Sequence, residues 1–115
     1  MVSRGNRPDD LGIEVCEIHT GPYAQVFHEQ GRDPDRPAVQ QEIRKIAMAG
    51  ERICELGMRF NAGHALNYFN VQPVAALHGV RELHIGHAIV SRAVFVGMRE
   101  AVREMKRLMR EVCTR

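Results

Sequence analysis

The 115-residue chain lacks a dominant charge, a cysteine pair and a long apolar run, and each absence removes a class of protein. Lys and Arg number 16 against 14 Asp and Glu, a formal charge of +2, so nothing in the balance asks for nucleic acid or an anionic membrane as partner. Cys16, Cys54 and Cys113 are odd in number, widely spaced and without a Cys-x-x-Cys pair. They are expected to be reduced, mostly buried thiols of a cytosolic protein rather than a disulfide frame. No stretch approaches the ~18 apolar residues of a membrane span, and MVSRGNRPDD has no apolar core of the signal-peptide kind. The expectation is a soluble, cytoplasmic chain. Its length allows one domain at most, and its 44% hydrophobic content is ordinary for a globular one.

What the sequence does have is a repeated unit. MRFNAGH (Met58 to His64) and ELHIGHA (Glu82 to Ala88) each read as a short strand running into a histidine-bearing loop, with a helical pattern behind it. GIEVCEIHTG (Gly12 to Gly21) reads as a third copy. Strand–helix alternation implies parallel strands near Val15 to His19, Arg59 to Asn61 and Leu83 to Ile85, adjacent in chain order. Such folds gather their chemistry at the carboxyl ends of the strands.

Residues 1–10 are polar and broken by Gly5 and Pro8, so they are expected to fray, with order beginning near Leu11. Along IEVCEIH, Ile13, Val15, Glu17 and His19 share one face and Glu14, Cys16 and Ile18 the other. A carboxylate late on a strand's inner face is costly to bury unless paired, which makes Glu17 a site candidate. From Thr20 to Ala38 three prolines and two glycines suggest a long loop, either a lid or a tolerated insertion.

Helical period follows, with Val39, Ile43, Ile46, Ile53 and Leu56 on one stripe and Gly57 as the stop. Asn70 can cap a short helix that Gly79 closes. HAIVSRAVFVG reads as a short apolar helix whose start, at Gly86 and His87, offers free N–H groups to an anion. The last helix repeats Met98, Ala101, Val102, Met105, Leu108, Met109 and Val112 on a core stripe. Glu100/Arg103 and Glu104/Arg107 pairs are expected on its solvated face.

Histidine is the enriched reactive type, with His19, His64, His84 and His87 at or near strand ends. A zinc site from His64, His84 and His87 needs ligands converging at about 2.1 Å. Residues three apart on a strand point to opposite faces, so His84 and His87 meet only if Gly86 breaks the strand. An imidazole on a Gly-containing loop suits general acid–base work better.

EIHTGPYA (Glu17 to Ala24), NAGHALNYFNV (Asn61 to Val71) and LHIGHAIVSRAVFVGMREAVREMKRLM (Leu83 to Met109) together resemble the pyridoxine 5'-phosphate synthase family. The resemblance implies an α/β fold, the C-terminal part of a TIM (β/α)8 barrel. Three parallel βα units, strands six to eight, would occupy residues 11–115, with an extra short helix before the last one. It implies a transferase-class, ring-closing step of vitamin B6 biosynthesis. In it 3-amino-2-oxopropyl phosphate and 1-deoxy-D-xylulose 5-phosphate condense to pyridoxine 5'-phosphate, phosphate and water, with no metal or organic cofactor.

On this resemblance His64 is the proton donor and Glu17 the transition-state stabiliser, while Gly86, His87 and the backbone of Ala65 hold substrate phosphate. Ala65 stands where the family commonly has glycine. Phosphorylated small molecules would be the substrates, and the full-length family would form homo-oligomers. The family's two proton acceptors lie on earlier strands that these residues do not contain, so the chain reads as a truncated portion, inactive alone. The competing reading is a non-catalytic sugar-phosphate-binding or oligomerising remnant.

Overall fold

The computed structural model describes residues 2–6 and 14–113. In chain order the elements are β1 (Val2–Asn6), β2 (Glu14–His19), α1 (Gly21–Glu29), α2 (Pro37–Glu55), β3 (Arg59–Gly63), α3 (Val71–Ala75), β4 (Val80–His84), α4 (His87–Val96) and α5 (Met98–Val112). They build one four-stranded sheet in the order β1-β2-β3-β4. β2, β3 and β4 pair in parallel, with Glu17 opposite Asn61 and Asn61 opposite Glu82. Their carboxyl ends therefore lie along one edge, as the strand–helix alternation predicts.

The alternation of β2 and β3 divides the sheet into two faces. Cys16, Ile18, Phe60 and Ala62 turn toward the helices, where they join Tyr23, Phe27, Val39, Ile46, Ile53 and Val74 in the core. Glu17, Asn61 and Gly63 are left on the opposite face. Helix α2 lies on β3 where Gly50, lacking a Cβ, makes room for the Phe60 ring.

Several expectations are corrected. Val2–Asn6, read as frayed, forms a strand antiparallel to β2 and covers that edge of the sheet. The onset of order near Leu11, and Ile13, lie outside the described residues. The stretch read as one loop contains α1. Gly21 and Pro22 are a helix start rather than breakers, since proline is tolerated in a first turn, and Tyr23, Ala24 and Phe27 supply a buried side. Only the residues between α1 and α2 are irregular, turning through Gly31 at φ 73°. Strand β4 begins earlier than Leu83, directly after the Gly79 turn, and ends before Ile85.

Cys16 is buried as expected, but Cys54 and Cys113 are exposed. Met105 is core while Met98 is half-exposed, because α5 packs through Ala101 and Met105 and leaves its first turn in solvent. Leu56, at the end of the α2 stripe, is also exposed. Glu100 does meet Arg103 at 3.6 Å, but Glu104 turns to Arg92 of α4.

Candidate functional site

Past the end of β3 the chain adopts a conformation that L side chains resist: His64 has φ 95° and Ala65 φ 61°. Two left-handed residues in succession persist only where the surroundings over-determine them. Here Thr20 and Asn70 do so. The buried Thr20 hydroxyl lies 2.8 Å from the Gly63 carbonyl and 2.6 Å from that of His64, sharing its one proton between them, and its backbone N–H donates to Gly63 O at 2.8 Å. Asn70 Nδ2 donates to the Ala65 carbonyl at 3.1 Å.

Asn70 stands at the cap position of α3, but its side-chain oxygen accepts from Asn67 N–H at 2.8 Å, so it closes the loop rather than the helix. The Tyr23 hydroxyl donates to Asn70 O at 2.6 Å from a site whose burial pushes its pKa well up. Together these groups hold the His64 ring out at the sheet's carboxyl edge.

His19 stands against His64, ring centroids 4.0 Å apart, with its Nδ1 accepting from Gly21 N–H at 3.1 Å. On the face turned from the core the register makes two rows: Glu17, Asn61 and Glu82 in one, His19, Gly63 and His84 in the next. His84 Nδ1 is hydrogen-bonded to Glu17 Oε1. Asn61 is only 3% exposed; its Nδ2 donates to Glu82 Oε2 at 3.2 Å, and its Oδ1 has no partner among the described residues.

Beyond β4, Gly86 at φ −128° precedes α4. The first N–H groups of α4 have no intrahelical acceptor, and a Cβ at Gly86 would meet nothing within 4 Å. Glu17, His64, Ala65, Gly86 and His87 all line a single cavity of about 590 Å³, with Leu66, Asn67, His84, Ile85 and Ala88.

The sequence thus marked five residues that the fold gathers in one place. Thr20, Asn61, Asn70 and Glu82 carry no site expectation from the sequence, and His84 enters only among the strand-end histidines and the zinc alternative. Glu82 and His84, two apart on a strand, could have been placed on the Glu17 face by alternation. The role of Thr20 depends on carbonyls more than forty residues away and carries no local signal, whereas Asn70 closes its loop on the nearby Ala65 and Asn67. Among the described residues no three His, Cys, Asp or Glu side chains converge as a metal site, which leaves the zinc reading without a ligand set.

Parallel strand–loop–helix units, with polar side chains collected where the strands end and a helix start facing the same cavity, define a partial (β/α) barrel. The model of the family described as "Pyridoxal phosphate biosynthesis protein PdxJ" matches residues 6–111, and the chain belongs to that family. It is 75% identical over 101 residues to pyridoxine 5'-phosphate synthase of Azoarcus sp. (strain BH72), covering 88% of this chain and 41% of that protein. Over 105 residues it is 71% identical to the synthase of Dechloromonas aromatica (strain RCB), covering 91% and 42%. With that of Rhodopirellula baltica it shares 54% over 102 residues, covering 89% and 38%. The chain therefore spans about two-fifths of the length of these relatives. No helix among the described residues is long and apolar enough to cross a membrane.

Proposed function

We propose that this chain carries the phosphate-holding and proton-donating part of a pyridoxine 5'-phosphate synthase site. The reaction is the condensation of 3-amino-2-oxopropyl phosphate with 1-deoxy-D-xylulose 5-phosphate, releasing phosphate and water. The observation that carries this reading is the convergence of Glu17, His64, Ala65, Gly86 and His87 on one cavity at the carboxyl end of three parallel strands. A phosphate dianion suits the α4 start, where the N–H groups of His87 and the next residues point outward and Gly86 places no side chain in the way. His64, presented on a braced and strained loop, is the proton donor to a departing oxygen. Glu17 offers a carboxylate to the positive charge that develops as the amine condenses.

Ring closure also needs proton removal, and the resemblance assigns that work to a histidine and a glutamate upstream of the strands seen here. Loss of an essential acid or base costs about 10² to 10⁴ in rate, and loss of substrate-positioning groups adds to that. The purified 115-residue chain is expected to form no detectable pyridoxine 5'-phosphate. Joining it to the upstream residues of the Azoarcus relative should restore synthesis, read by chromatography of the product. A joined protein that folds yet stays inactive would refute the assignment.

A further inference from the structure

We infer that His84 is a positioning residue for Glu17, reaching across β3 in the space that Gly63 leaves open. This rests on the role proposed above for Glu17. The two side chains belong to β2 and β4, which are not neighbours, and β3 runs between them. Two strand spacings amount to about 9.6 Å, so the side chains can meet only by leaning toward each other over the middle strand. The residue of β3 opposite His84 is Gly63, and a Cβ there would stand 2.9 Å from His84 Cβ and 3.0 Å from His84 O. Glycine is thus required by the close approach of β4 to β3 at this position, and it leaves no side chain between Glu17 and His84.

The His84 Nε2 lies 3.8 Å from Glu82 Oε2, beyond hydrogen-bond distance, and that oxygen accepts from Asn61 Nδ2 at 3.2 Å, so Glu82 does not compete with Glu17 for the ring. A carboxylate only accepts, so the Nδ1 that meets Glu17 must carry the proton. Glu17 has three side-chain torsions and lines an open cavity; without an anchor its carboxylate would sweep through several rotamers. The hydrogen bond from His84 selects one of them and leaves the second carboxylate oxygen for the cavity. Misplacement of a reacting-site group by about 1 Å can cost on the order of 10²-fold in rate.

The test uses NMR on the full 115-residue chain, with long-range proton–nitrogen spectra of the imidazoles and carbon relaxation of the Glu17 side chain. His84 is expected as the Nδ1-protonated form, with a low-field Nδ1 proton that moves upfield in Glu17→Gln, where a neutral amide oxygen replaces the carboxylate. His84→Leu should leave the Glu17 carboxylate rotationally averaged, and His84→Asn, whose amide can donate from nearly the same position, should keep it ordered. An Nε2-protonated His84, a Glu17→Gln spectrum without change, or an ordered Glu17 in His84→Leu would each overturn the inference.

In the joined, active synthase, His84→Leu should lower kcat about 10- to 100-fold with KM little changed, and His84→Asn should recover most of it. A Glu17→Gln/His84→Leu double variant should be no slower than Glu17→Gln, since one group acts through the other. Additive losses would overturn the role of His84. Full activity in Glu17→Gln would instead refute the function proposed for Glu17, leaving the NMR result to decide the pairing.

Discussion

A buried threonine hydroxyl is the residue on which the functional loop turns. Thr20 is fully buried and meets two carbonyls of a backbone that passes through left-handed φ at His64 and Ala65. Thr20→Val keeps the shape and removes the one side-chain donor to those carbonyls found among the described residues. It should destabilise the chain by about 1–3 kcal/mol, measured by urea unfolding, and should broaden the His64 resonances more than those of the core. Unchanged stability would mean that the Thr20 backbone N–H and Asn70 suffice to hold the left-handed pair.

Gly86 raises a different residue-scale question, because its φ of −128° is open to any residue and a Cβ would meet nothing. The fold does not require glycine there; the proposed anion does. Gly86→Val should therefore unfold at the same denaturant concentration as the parent while losing inorganic phosphate binding by calorimetry. Retained phosphate affinity would move the anion elsewhere.

At the scale of elements, α4 is the loosest part of the proposed site. None of its residues is buried, and Val94 and Phe95 are 79% and 83% exposed. It is tied to α5 by a two-pronged ion pair, Arg92 Nε to Glu104 Oε2 at 3.0 Å and Arg92 Nη2 to Glu104 Oε1 at 3.2 Å. α5 is in turn fixed to the His64 loop through the Tyr68 hydroxyl, which donates to Ala101 O at 2.7 Å. The hydrogen bond from Arg92 holds the Glu104 carboxyl below the ordinary carboxylate range.

A lowered folded pKa means that the contribution of Glu104 is complete above the unfolded value, about 4.3, and is lost as pH falls through the lower folded one. Hydrogen-exchange protection of α4, relative to α2, should hold at neutral pH and fall preferentially on acidification below about pH 4. Glu104→Gln should show the loosened α4 already at neutral pH. Equal protection of α4 in both proteins would show that the pair does not anchor it.

For the molecule as a whole, the two edges of the sheet differ. β1 covers β2 in antiparallel fashion, unlike any neighbour inside an all-parallel barrel, whereas no strand among the described residues pairs with the far side of β4. Exposed Val90, Val94, Phe95 and Met98 add apolar surface on α4 and the start of α5. An open edge and such a surface favour association, so the chain should sediment as concentration-dependent oligomers. Lysine at Val94 and Phe95 should shift the distribution toward monomer. A monomer at every concentration would show that α4 and the β4 edge are tolerated in water.

Local pattern determined much of this protein. Alternation in EVCEIH and NAG set which side chains leave the core, so Glu17 and the His64 loop could be assigned to one end of a parallel sheet before any packing was known. The period of α2 and α5 likewise declared their buried sides, because a helix repeats its contacts every few residues and writes them into the chain. Tertiary structure decided the rest, for reasons that no window of sequence contains. Helix α1 hides among prolines and glycines because its Tyr23 and Phe27 gain their meaning only against the core and Asn70. Glu104 had an Arg three residues away and took Arg92 of α4 instead, since the bend at Gly97 brings that guanidinium alongside. His84 stands in the sequence as one of several strand-end histidines, with zinc only an alternative that its spacing to His87 disfavours. It became the partner of Glu17, two strands away, because Gly63 has no side chain to keep them apart.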